Sequence, residues 1–92
     1  MGAQDESDLL RVGGATPVPQ LAGAISAAIA EGKDVVLRAI GAGAIAQAVK
    51  AAAVARGHVA PHGQNLALIP GFQEVQLPDK TSTAITLRVM LY

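Results

Sequence analysis

The chain has no cysteine, no tryptophan, one phenylalanine, one tyrosine and no net charge at neutral pH. Without thiols there is no disulfide, no thiolate nucleophile and no cysteine-ligated zinc, and nothing in the residue usage suggests secretion. Phe72 and Tyr92 are the whole aromatic complement. They leave no platform for stacking successive bases, so sequence-specific reading of a single strand is not expected. Net neutrality argues against a strong polyanion binder. Long apolar runs are also missing, because Arg38, Gln47 and Lys50 interrupt the longest one, so no membrane span or membrane partner is expected. The first residues, Met1 to Ser7, are acidic and lack the apolar stretch of a signal peptide. A cytoplasmic location is the expectation.

What is present is a chain of 92 residues, enough for one small domain. It buries roughly two-thirds of the surface its unfolded form would expose, so stability is marginal and association of identical subunits would help. Apolar residues make up 51% of the chain, but alanine supplies much of that share, and ten glycines stand beside it. The core is therefore expected to combine Leu, Ile and Val with close, alanine-lined helix contacts. Charge is unevenly spread. Asp5, Glu6 and Asp8 sit at the N-terminal end, which leaves residues 9–92 with a balance of +3. No acidic residue lies between Asp34 and Glu74, where Arg38, Lys50 and Arg56 stand, so that window generates a mild positive field.

The pattern along the chain predicts a disordered acidic leader over 1–7 and a single domain over 8–92. Leu9 to Val12 reads as a short strand, ended by Gly13-Gly14. Thr16 is a candidate N-cap, with Pro17 and Pro19 tolerated in a first turn that has no N–H bonds to lose. Leu21, Ala24, Ile25, Ala28 and Ile29 recur on one helical face, and Gly32 fits the C′ position. A second strand runs from Val35 to Ile40. A second helix is expected from about Ala44 to Arg56, with Ile45, Ala48, Val49, Ala52 and Ala53 on its core face and Gly57 ending it. His58 to Gly63 reads as a loop. Asn65 to Ile69 reads as a third strand, bent at Pro70-Gly71 and resuming near Gln73. The last strand, Ala84 to Leu91, alternates Ile85, Leu87, Val89 and Leu91 against Thr86, Arg88 and Met90. This order, βαβαββ, predicts an α+β fold: a two-layer α/β sandwich with both helices on one face of a four-stranded mixed sheet, ordered 1-2-4-3.

The most suggestive stretch is the junction between the second strand and second helix, Gly41-Ala42-Gly43-Ala44. A helix N-terminus presents unbonded N–H groups and partial positive charge, which suits a phosphate. Gly41, Gly43 and Ala46 satisfy a dinucleotide-binding spacing, but the acidic residue needed about 20 positions on is absent from Ala60-Pro61-His62-Gly63. A dinucleotide site is rejected. The two readings left are a tight turn with close helix–sheet packing, and contact with a nucleic-acid backbone. Lys50, Arg38 and Arg56 would supply charge to the second. Arg11, Arg38 and Arg88 could form a row across the helix-free sheet face, either solvated or gripping a phosphate or partner. Gln47, Ala51 and Val54 are read as an outward face of the second helix, small and apolar enough to pack on another subunit. His58 and His62 have ligand-like spacing, yet a zinc site would need further ligands and none stands nearby, so no metal is expected. No nucleophile motif or paired carboxylate appears, so no enzyme activity, cofactor or small-molecule substrate is expected.

The runs Ala39-Ile40-Gly41-Ala42-Gly43-Ala44-Ile45-Ala46-Gln47-Ala48-Val49-Lys50, Ala55-Arg56-Gly57-His58-Val59-Ala60-Pro61 and Leu68-Ile69-Pro70-Gly71-Phe72 resemble the stage V sporulation protein S family. That bacterial family is in turn similar in fold to the Alba chromatin proteins. The resemblance covers about residues 9–91. It implies a homodimer or higher homo-oligomer, with a nucleic-acid-binding role, to DNA or RNA, in developmental or sporulation-type regulation. In Alba proteins the loop opening the second helix lies near nucleic acid, which maps to Gly41, Ala42, Gly43 and Ala44. This chain departs from Alba in having Gly13-Gly14-Ala15-Thr16 where lysines stand, and in a shorter, near-neutral hairpin arm. The alternative is a protein–protein interaction module that regulates without nucleic acid.

Overall fold

The structure is a computed structural model and describes residues 7–92. The expected acidic leader, apart from Ser7, lies outside the described residues. Seven elements follow one another: β1 (Ser7–Val12), α1 (Val18–Ala30), β2 (Asp34–Ala39), α2 (Ala42–Val59), a 3-10 turn (Ala60–His62), β3 (Leu66–Gln76) and β4 (Thr81–Leu91). The sheet runs β1-β2-β4-β3. β1 and β2 are parallel, while β4 is antiparallel to both β2 and β3. This is the expected βαβαββ fold with its mixed sheet.

Strand alternation builds the two layers. Val35, Leu37 and Ala39 of β2 and Leu87 and Val89 of β4 point to the helix side and are buried. Against them α1 sets Leu21, Ala22, Ile25 and Ala28, and α2 sets Ala44, Ala48, Ala51, Ala52, Ala55 and Val59. Six of α2's core positions include five alanines, so this helix lies close to its neighbours with little side-chain bulk between. Ala24, expected on the core face of α1, is exposed, as are Val49 and Ala53 of α2. The core stripe of α2 is therefore rotated relative to expectation, running through Ala44, Ala48, Ala51, Ala52 and Ala55. In an alanine-rich helix apolar residues occur all round, and periodicity alone assigns the buried side weakly.

Three local expectations are corrected. Thr16 is not an N-cap: α1 has no side-chain cap, and Thr16 Oγ1 instead accepts the Gly13 N–H at 2.7 Å. Together with the Thr16 N–H to Gly13 carbonyl bond of 3.1 Å, this closes the β1–α1 turn on itself. Gly57 does not end α2, which continues to Val59. Burying Val59 in the core stabilises the extra turn, and the left-handed position falls to Gly63 at φ 76°. Pro70-Gly71 does not interrupt β3, because β3 is an edge strand and proline's missing N–H is tolerated there. Gly32 does end α1 as expected. Its φ is 77°, its N–H bonds the Ile29 carbonyl at 3.0 Å and the Lys33 N–H bonds the Ala28 carbonyl at 3.0 Å. Those two bonds are the Schellman closure.

Among the described residues no helix is long and apolar enough to cross a membrane.

Candidate nucleic-acid interface

The residues expected to carry phosphate contact begin at the α2 N-terminus. Gly41 is its N-cap with φ 91° and ψ 158°, a conformation essentially reserved for glycine. No side chain caps the end and no acid lies in its first turn, while the Ile45 N–H is the first to bond back, to the Gly41 carbonyl at 3.1 Å. The N–H groups of Ala42, Gly43 and Ala44 therefore have no carbonyl of their own helix to meet. The Ala44 side chain is buried, so Ala44 offers only its backbone. A β carbon on Gly43 would lie 3.7 Å from the Gly14 Cα, which brings the β1–α1 turn alongside the start of α2.

Gln47 ties these two segments together. Its Nε2 donates to the Thr16 carbonyl at 2.7 Å in a half-buried bond. It is thus a tether, not part of a free outer face. Ala51 is wholly buried in the core and is likewise removed from that face, while Val54 is exposed as expected. Both corrections follow from the rotated core stripe. The outer ridge of α2 runs through Val49, Lys50, Ala53 and Val54, and a shallow apolar groove lies between Val49, Ala53 and Leu68 of β3.

The expected cations do not converge. Lys50 is exposed two turns beyond the N-terminus of α2. Arg56 stands near the opposite end, its Nε donating at 2.7 Å to Asn65 Oδ1, which also accepts the Leu66 N–H at 2.9 Å. Arg38 lies on the far face of the sheet. There Arg11 pairs directly with Arg38, Arg38 with Thr86, and Val36 with Arg88. The three arginines therefore share the helix-free face as alternation predicts, alongside exposed Leu9, Ile40, Ile69 and Met90. Lys33 is engaged, with Glu31 at 3.2 Å and Asp8 at 3.8 Å.

His58 and His62 are not on a free loop. His58 sits in the last turns of α2 and His62 ends the 3-10 turn. Ser26 Oγ and His58 Nδ1 are hydrogen bonded at 2.8 Å, a pairing between residues 32 positions apart with no local sequence signal. Only aligning the C-terminal ends of the two helices could have found it. Among the described residues no group of three or more His, Cys, Asp or Glu is placed to hold a metal.

The family model for stage V sporulation protein S matches residues 8–92. Among solved structures, Alba from Thermoplasma volcanium superposes with a TM-score of 0.61 at 17% identity, covering 91% of this chain and 98% of that one. At that identity the likeness is one of fold. The family match takes in every element described except the first residue of β1. This chain belongs to the stage V sporulation protein S family and has an Alba-like fold.

Proposed function

We propose that this sporulation-related regulatory protein works as a homo-oligomer that holds nucleic acid through backbone phosphates. The observation that carries the reading is the open N-terminus of α2, an 18-residue helix with no capping side chain and no acid in its first turn. Its aligned peptide dipoles and unbonded N–H groups suit a phosphate oxygen. At 1.5 Å per residue, Lys50 stands roughly 12 Å along the axis from Ala42, and Arg56 roughly 9 Å further. That step of six residues also turns the helix by about 120°, so Arg56, bonded to Asn65, faces away from Lys50, and Lys50 is the cation that a backbone seated at the open end would meet. Arg38, on the other face of the sheet, cannot share that phosphate and contributes only to the summed field.

The reading requires self-association, because one copy offers few cations. The ridge of Val49, Ala53 and Val54, with the groove beside Leu68, is the surface we assign to it. Small residues there let a partner helix approach closely. The test is fluorescence anisotropy with duplex and single-stranded probes at two salt concentrations. With about two phosphates neutralised per chain, log K should fall against log salt with a slope of about −2 for each chain engaged. Lys50→Glu should abolish binding. No binding at low salt rejects the proposal.

A second reading is favoured by a different observation. The helix-free sheet face carries Leu9, Ile40, Ile69 and Met90 exposed beside three arginines, which suits a protein partner. Capture of a partner that survives both nuclease treatment and Lys50→Glu would favour that interaction module over nucleic-acid binding.

A further inference from the structure

The helix-free face of the sheet carries charge that the fold does not use. Arg11 and Arg38 are direct partners across β1 and β2, and like charges set opposite one another destabilise a sheet. Arg88, one level along on β4, partners Val36 and so lies diagonally from Arg38. Among the described residues none of the three arginines has an ion pair, since both salt bridges there belong to Lys33. Arg38 is nevertheless only half-exposed. Asp34, the one acid on the same alternation of the four strands, stands at the start of β2 and pairs with none of them.

Aliphatic side chains stand on both sides of this diagonal. Leu9 and Met90 lie two residues from Arg11 and Arg88, Ile69 is the cross-strand partner of Arg88, and Ile40 continues the alternation just past the end of β2. Each is between 42% and 50% exposed, enough to be covered by something apolar. By strand spacing and rise, the diagonal from Arg11 to Arg88 is ~12 Å long. That is close to the ~11 Å of two helical turns.

We propose, within the interaction-module reading of this face, that it docks an acidic amphipathic helix of a partner protein. Carboxylates at i, i+4 and i+7 of that helix lie along the arginine diagonal, and aliphatic residues beside them cover Leu9, Ile40, Ile69 and Met90. Guanidinium matches carboxylate geometry and is weakly hydrated, so it suits a pair partly shielded from water. A phosphate backbone meets the arginines but brings nothing to cover the aliphatic side chains. A second copy presenting the same face sets arginine against arginine, which repels.

The test is selection from a display library of random peptides on the immobilised full chain, followed by anisotropy of an enriched peptide. Enriched sequences should carry Asp or Glu at helical spacing among Leu, Ile or Val. Arg11→Gln, Arg38→Gln and Arg88→Gln should each weaken binding roughly two- to fivefold, and the triple variant roughly tenfold or more. Ile69→Ser should weaken it about fivefold, as half a side chain loses its cover. Replacing the peptide's carboxylates with amides should reproduce the triple variant's loss on the parent chain, where folding is not in question. Lys50→Glu should leave peptide binding unchanged. The proposal is overturned, with the interaction module intact, if enriched peptides lack acids or bind the triple variant as tightly as the parent. It is also overturned if the triple variant abolishes duplex binding and enriched peptides do not compete with the duplex. If no peptide is enriched, the proposal and the interaction module fall together.

Discussion

At the scale of single residues, the glycine pair at the α2 junction separates into two unlike positions. Gly41 is at φ 91°, ψ 158°, where a β carbon is strained whatever space surrounds it. Gly41→Ala should cost about 1–3 kcal/mol in urea unfolding. Gly43 lies inside the helix, and its added carbon would make only ordinary contact, 3.7 Å from Gly14 Cα. Gly43→Ala should be neutral or stabilise by up to about 1 kcal/mol, because alanine loses less backbone entropy there. A measured cost equal to that of Gly41→Ala would contradict the geometry. Gln47 gives a third case, since losing its half-buried bond to Thr16 should cost about 1 kcal/mol. The sequence displays both glycines as one motif, because neither φ nor the proximity of Gly14 is written in local spacing. It displays Gln47 as a surface amide for the same reason: its partner lies 31 positions away.

At the scale of elements, the boundaries carry the test. Gly57 lies within α2 with nothing within 4 Å of an added β carbon. Gly57→Ala should therefore stabilise the protein by about 0.5–1 kcal/mol, whereas at a helix-ending left-handed position it would destabilise. A denaturation midpoint that rises with an unchanged slope is the expected result. The elements themselves were legible. Alternation in β4 gave buried Leu87 and Val89 with Ile85 and Leu91 partly buried beside them, though not buried Ala84 of the opposite parity. Gly32 gave the end of α1, and crossover handedness with β4 between β2 and β3 gave the sheet order. The end of α2 was not, because burial of Val59 overrides a glycine that could have stopped the helix, and only the assembled core reveals that burial. Pro70 misled for the opposite reason, as its tolerance depends on β3 lying at the sheet edge, a tertiary fact. The rotated face of α2 reflects an alanine-rich sequence in which hydrophobicity barely distinguishes one side from another. The uncapped start of α2 at Gly41 to Ala44 and the exposure of Lys50 were legible as geometry. The expected convergence failed where Arg38 and Arg56 had to meet them.

At the scale of the whole molecule, the proposed self-association is tested at the outer ridge of α2. Val54→Asp should shift the protein toward monomer in light scattering and leave its circular dichroism unchanged, since Val54 is 42% exposed. If the substituted chain keeps the parent's mass in solution, the ridge is not the contact. The same variant should weaken nucleic-acid binding, because a lone copy neutralises fewer phosphates.

The alanine-lined seam between the helix layer and the sheet has its own bearing on which substitutions this protein survives. Ala22, Ala48, Ala51 and Ala55 show no accessible surface at all, and each has only a methyl group to lose. Trimming them removes little material, whereas enlarging any one to valine or leucine pushes whole elements apart at a cost of about 1–3 kcal/mol or more. Tolerance here is narrow in both directions, since trimming to glycine inside a helix forfeits the buried methyl and about 0.5–1 kcal/mol of backbone entropy.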